Sequence, residues 1–183
     1  MLDAALDAFD EHGFSGASIE EVRHRSGASI GSIYHHFGGK EGLAAELYVG
    51  GLRSYQEGLL EALEQSASAQ AGVEAAVRHH LRWIGQNPKL ARFMFENSIA
   101  TPELRAQNRR FFAAVHEWLE RQAERGEIRR LPGDLYYALL IGPSQELARH
   151  SLAGRIEIPL GDAADELAHA AWMSLRNDQG GPS

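Results

Sequence analysis

Glycines cut the first 39 residues into three short segments, and each segment carries helical apolar spacing. Leu2, Ala5, Leu6 and Phe9 fall at i, i+3, i+4 and i+7, one apolar stripe that Gly13 ends, with Phe14 placed to fold back on it. Ser18-Ile19-Glu20-Glu21 reads as a capping box: the Ser18 hydroxyl can accept from the Glu21 N–H, and the Glu21 carboxylate can reach back to the Ser18 N–H. A short helix follows with Ile19 and Val22 inward, and Gly27 stops it. Ser29 caps a third helix, Ile30 to Phe37, which Gly38-Gly39 breaks. Three short helices joined by tight glycine turns form a helix-turn-helix pattern.

The rest of the chain also reads as helix, with no sustained period-2 alternation, so the fold is expected to be all-α. Lys40 opens a long fourth helix to about Gln65. Val73, Val77, Leu81 and Ile84 mark another. Asn87-Pro88 and Thr101-Pro102 are start signals, a cap followed by proline at the first helical position. Pro132-Gly133-Asp134 begins a helix from Leu135 to about Leu152, with a kink expected at Gly142-Pro143. Ala164, Leu167, Ala168, Ala171 and Leu175 form the last stripe. The expected organisation is a helix-turn-helix domain over 1–46, a helical bundle over 47–177 and a disordered tail over 178–183, polar and glycine-rich.

Composition removes several function classes. Hydrophobic residues make up 44%, enough for a core, and no run approaches the length of a membrane span. There are no cysteines, so disulfides, thiol nucleophiles and Cys-type zinc sites are out. Met1-Leu2-Asp3-Ala4 lacks a secretion pattern, and a reducing cytoplasm is the expected location. No glycine-rich phosphate loop, carboxylate pair or activated nucleophile stands out, so enzymatic turnover is the rival reading rather than the expectation. His79-His80 are adjacent and do not share a helix face, so neither metal nor cofactor is expected.

The net charge is −7, and residues 1–46 hold three cations against eight acids. A head like this cannot grip phosphate through bulk charge. It needs local donors on one face. The stretch between Arg23 and Glu41 contains no acid, and the third helix lies inside it. Ile30, Ile33 and Phe37 are spaced as its core face, while Gly31, Ser32 and His35 point away, with Tyr34 beside Gly31. Ser29, Ser32, Tyr34 and His35 offer hydrogen bonds to phosphates or base edges, and Gly31 lets the backbone approach closely. Lys40, at a helix N-terminus, is placed to meet a phosphate. The candidate DNA-contacting set is Ser29, Ile30, Gly31, Ser32, Tyr34, His35 and Lys40.

The run Leu2-Asp3-Ala4-Ala5-Leu6, Phe9, Gly13-Phe14, Ser18-Ile19, Val22, Ser26 to Phe37, Lys40-Glu41 and Leu43 resembles the DNA-binding domain of TetR-family regulators. The resemblance covers about a quarter of the chain. It implies an all-α homodimer: a three-helix reading head, a long fourth helix, and a C-terminal bundle that binds a small molecule and carries the dimer contact. It implies a double-stranded DNA operator, usually repressed. It also implies that residues matching Ser29, Ser32, Tyr34, His35 and Lys40 touch DNA, while His36 and Phe37 pack or support the turn. Two features depart from the pattern: Met1 starts almost inside the first helix, where a short basic segment normally comes first, so either the true start lies upstream or those arm contacts are absent, and Gly39 stands where a serine cap is usual.

The middle of the chain is dense in large apolar groups. Trp83, Phe93, Phe111, Phe112 and Trp118, with His80, Asn97 and His116 as polar handles, form a candidate pocket for an apolar or aromatic effector. A dimer contact is expected from Leu135, Leu139 and Leu147 in the penultimate long helix and Leu167, Ala171 and Leu175 in the last. In the alternative reading the protein binds DNA without an effector, and its bundle serves only to dimerise.

Overall fold

The protein is described by a computed structural model over residues 1–178. The expectation for the tail falls, beyond Asp178, outside the described residues. Among the described residues ten helices follow in order: α1 Leu2–Gly16, α2 Ile19–Ser26, α3 Ile30–Phe37, α4 Lys40–Glu64, α5 Ala69–Gln86, α6 Pro88–Glu96, α7 Pro102–Glu124, α8 Gly133–Leu140, α9 Gly142–Leu152 and α10 Leu160–Leu175. The fold class is therefore all-α, as the sequence predicts. None of these helices is long and apolar enough to cross a membrane. The chain forms two compact units: Met1–Ser54 with Asn87–Thr101, and Tyr55–Gln86 with Pro102 onward. This division differs from one drawn after residue 46, because α6 packs with α1.

In the first unit, local sequence dictates each turn. The backbone leaves helical space at Gly13, whose φ of 69° and ψ of 161° suit a residue without Cβ. The Ser18 hydroxyl accepts from the Glu21 N–H at 3.2 Å and starts α2; Gly27, at φ 69°, ends it by donating its N–H to the Arg23 carbonyl. Ala5, Ala8, Phe9, Val22, Ile33, Leu43 and Leu47 close over a core that also contains Phe93 of α6. The Phe9 and Phe93 rings stack at 5.4 Å. Gly51 of α4 admits α6, since a Cβ there would stand 2.9 Å from Leu90. Burying Phe93 contributes about 2–3 kcal/mol.

The same packing explains the acids of α1. Asp7 pairs with Lys89 at 2.5 Å, and Asp10 pairs with Arg92. Glu11 and Glu21 both hold Arg25 at 2.5 Å. Such exposed pairs contribute little to stability, because solvent screens them. Their larger effect is on the field, because Lys89 and Arg92, from outside residues 1–46, offset part of the acid excess of the head.

In the second unit, α5 and α10 pack along their lengths, with Val73, Val77 and Leu81 of α5 and Ala168, Ala171 and Leu175 of α10 buried. Gly72 lets the Trp118 ring of α7 lie against α5. Arg129 N–H donates to the Leu175 carbonyl at 2.9 Å, tying the loop after α7 to the end of α10. Gly142-Pro143 divides the expected long helix into α8 and α9. The last stripe of the sequence is corrected in part: Ala171 is 5% and Leu175 0% exposed within this chain, so α10 spends them on its own core. Leu135 is 48% exposed, and Leu139, Leu147 and Leu167 are half-buried.

Candidate nucleic-acid interface

The third helix is fixed at both ends by its own sequence. Ser29 is extended, and its hydroxyl oxygen accepts from the Ser32 N–H at 3.0 Å, leaving the Ser29 hydroxyl proton to donate elsewhere. Gly38 ends the helix by donating to the Tyr34 carbonyl. Ile33 is fully buried and Phe37 half-buried, which sets the inward face.

The opposite face is open. Gly31, Tyr34 and His35 are exposed and Ser32 partly so. A Cβ built on Gly31 meets nothing closer than the Ser29 hydroxyl at 3.9 Å, so its lack of a side chain is not demanded by the fold. The Tyr34 ring stands over Gly39. Two expectations change here. Ile30 is 42% exposed and joins the outward face, because it lies about 60° round the helix from Ile33 in the uncovered first turn. His36 is exposed beside His35, with the rings 5.0 Å apart, instead of packing inside.

The cations of the head are all engaged. Arg23 pairs with Glu20 at 2.5 Å and Arg25 with Glu11 and Glu21. Lys40, expected to meet a phosphate, has its side chain turned toward the end of α1. Its Nζ donates to the carbonyls of Phe14 at 2.9 Å, Ala17 at 3.0 Å and Ser15 at 3.3 Å. An ammonium has three hydrogens, and the three carbonyls at the end of α1 use them. What the face presents is therefore hydroxyl, imidazole and backbone groups on a capped helix.

The candidate effector residues do not form one cluster. Phe93 is in the core of the first unit, and Asn97 caps α6 there by donating to the Phe93 carbonyl at 2.8 Å. In the second unit, Phe111 and Trp118 are buried. Phe112 and His116 line a groove of about 590 Å³ between α7 and α8, together with Val115, Leu119, Asp134 and Tyr137. Phe112 lies edge-on to Tyr137 at 5.3 Å. His80 and Trp83 gather instead around Tyr55, at 5.5 and 5.6 Å between ring centres. Burial pushes the Tyr55 hydroxyl well above its usual value and pushes the His80 imidazole down to about 4. Sequence spacing singled out neither Tyr55 nor Tyr137, which lie on different helices, α4 and α8, far apart in the chain. Among the described residues Glu11, His12 and Glu21 come within ligand distance of one another, but Arg25 already occupies both carboxylates.

A family model described as bacterial regulatory proteins, tetR family, matches residues 1–47. The head is 44% identical over 43 residues to the HTH-type transcriptional repressor AcnR of Corynebacterium glutamicum, a match spanning 24% of this chain and 23% of that repressor. Over 158 residues the chain is 30% identical to the HTH-type transcriptional regulator BetI of Vibrio campbellii, covering 86% of this chain and 75% of the relative. The fold matches the crystal structure of a TetR family transcription regulator from Marinobacter aquaeolei with a TM-score of 0.79 at 20% identity, over 96% of this chain and 93% of that one.

Proposed function

The chain belongs to the tetR family of bacterial regulatory proteins, and from that premise we propose that it is a dimeric, sequence-specific DNA-binding transcriptional regulator. The observation that carries this reading is the exposed face of α3. Gly31, Ser32, Tyr34 and His35 stand on a helix capped by Ser29 and anchored by Ile33, in a head where Asp7, Asp10, Glu11, Glu20 and Glu21 are paired with cations. A helix that presents small and hydrogen-bonding groups with open space at Gly31 fits a major groove. Lys40 supports this face from behind, by holding the α1–α2 corner. Repression is the outcome we infer, in keeping with the named activity of the relative whose head matches at 44% identity.

Dimer formation uses the half-buried and exposed leucines Leu135, Leu139, Leu147 and Leu167. A small apolar or aromatic effector occupies the α7–α8 groove at Phe112 and His116 and favours the DNA-free form. DNA then weakens effector binding by the same factor. The effector-free alternative, a plain DNA-binding dimer, predicts that no apolar compound changes DNA affinity.

The experiment is selection of bound duplexes from a random pool, with sedimentation of the free protein. The expected result is an enriched palindrome with half-sites about 10 base pairs apart, bound by a dimer. Absence of any enriched sequence, or a stable monomer at micromolar concentration, counts against the reading.

A further inference from the structure

Arg23, Arg25 and Lys40 are the arginines and lysine of residues 1–46, and each is held by a partner inside the head: Glu20, the carboxylates of Glu11 and Glu21, and three carbonyls at the end of α1. Duplex DNA carries about one negative charge per 1.7 Å of axis, and a protein holds it by neutralising phosphates. Hydroxyls and backbone groups do not supply that charge. Imidazole does when protonated, and it is the side chain whose charge changes between about pH 5 and 8.

The reading helix α3 carries two imidazoles side by side. His35 and His36 are both exposed, with ring centres 5.0 Å apart and planes at 72°. The His36 ring meets the Phe37 ring at 6.3 Å. Among the described residues neither imidazole has an acid or a hydrogen-bond partner. Both lie in the last turn of α3, at the negative end of the helix dipole, which favours a cation. Two imidazoliums this close repel, so the pair favours holding one proton over holding two.

The surrounding elements offer no substitute for that proton. On α1, His12 lies 3.0 Å from Glu21. On α2, which packs on α3, Glu20 and Glu21 are held by Arg23 and Arg25, and His24 is exposed. On α4, Lys40 turns to α1, and the exposed Glu41 reaches within 3.8 Å of the point where a Gly39 Cβ would stand. The remaining titratable group of α3 is the Tyr34 phenol.

We propose that the His35–His36 pair takes up one proton per head when DNA binds, and that the ring so charged meets a phosphate. This rests on the DNA-binding reading of α3. An imidazolium brings two N–H donors and a positive charge, where the neutral ring has one donor and no charge. The other, neutral ring is left to the base edges. A phosphate beside the pair favours its charged form, so DNA and proton strengthen each other's binding by the same factor. Affinity for DNA is therefore full on the acidic side of neutrality. It is lost as pH rises through the range where the bound pair gives up its proton.

The test titrates the full-length protein with the palindromic duplex enriched by selection, at fixed salt, from about pH 6 to 8.5, where His80 stays neutral in the folded chain. Calorimetry at neutral pH in Pipes and in imidazole buffer, whose ionisation heats differ, counts the protons. The expected result is an affinity that falls with rising pH, at its steepest by about one to two decades per pH unit for a dimer, with proton uptake. The double variant His35→Gln, His36→Gln should unfold at the native temperature, since both side chains are exposed, and should lose the uptake and the pH dependence. His36→Arg, with a permanent charge, should keep affinity at the alkaline end and lose the pH dependence. His24→Gln should change neither. An affinity independent of pH, uptake that persists in the double variant, or uptake that vanishes in His24→Gln overturns the inference and leaves the DNA-binding reading standing. If no duplex is bound specifically anywhere in the range, the DNA-binding reading falls, and the proton site with it.

Discussion

Lys40, the first residue of α4, reaches back to Phe14 near the end of α1: its Nζ donates to the Phe14 carbonyl at 2.9 Å and stands 4.9 Å from the centre of the Phe14 ring. With the carbonyls of Ser15 and Ala17, this places a positive charge on the negative end of a helix and ties the two flanks of the reading helix together. Hydrogen bonds to a charged group contribute about 1.5–3 kcal/mol each at most, and the three share one ammonium. Lys40→Ala should therefore destabilise the first unit by about 2–3 kcal/mol and raise amide exchange around residues 14–18. The salt dependence of DNA binding should keep its slope. A slope reduced by about 1 with unchanged exchange would return Lys40 to the phosphate role.

Gly42 predicts the sharpest steric failure. A Cβ there would lie 1.5 Å from the Phe37 carbonyl oxygen, a backbone atom at the end of the reading helix. Gly42→Ala cannot be absorbed by a rotamer change, so the α3–α4 turn must move. A cost of at least about 1–3 kcal/mol is expected, with loss of specific DNA binding. Thermal unfolding and a gel-shift titration check this.

Gly31 predicts the opposite separation. Its Cβ direction is open and valine has a higher helix propensity than glycine, so Gly31→Val should leave the stability of the fold unchanged or slightly raised. DNA binding should nevertheless collapse, because the added branch stands on the face that must approach the groove. Ser32→Ala and His35→Ala should instead shift base preference by about 1–3 kcal/mol at single positions, read from a second selection with each variant. Equal loss on every sequence would assign these two residues to the phosphate backbone.

His80 makes stability depend on pH. The unfolded chain protonates this imidazole near 6.5, whereas burial first, and the neighbouring His79 second, push the folded value down to about 4. Between those values the unfolded state binds more protons, so stability is complete above pH 6.5 and is lost as pH falls toward 4. The interval corresponds to about 3 kcal/mol. His79, pushed down mainly by burial, adds in the same direction. Denaturant midpoints measured from pH 7.5 to 4.5 should fall for the native chain and fall less for His80→Phe. Parallel curves would show that other groups carry the acid sensitivity.

How much of this was legible in the sequence depends on the range over which each feature is set. The Ser18 and Ser29 caps, the Gly27 and Gly38 stops and the inward Ile33 all follow from residues within four positions of one another, and helix geometry does the rest. The reading face was therefore visible, apart from Ile30 and His36, whose exposure depends on what covers the ends of a short helix. Tertiary structure alone decided the partners. Phe93 and Asn97 have the composition of pocket residues, but α6 packs on α1, so one became core and the other a cap. Lys40 has the chemistry of a phosphate donor, but three carbonyls more than 20 residues away claimed its hydrogens. Ala171 and Leu175 have the spacing of an interface, but they are buried within this chain. Periodicity states that a helix has an apolar face; it does not state which surface will cover it, because that is settled by a packing competition among elements far apart in the chain.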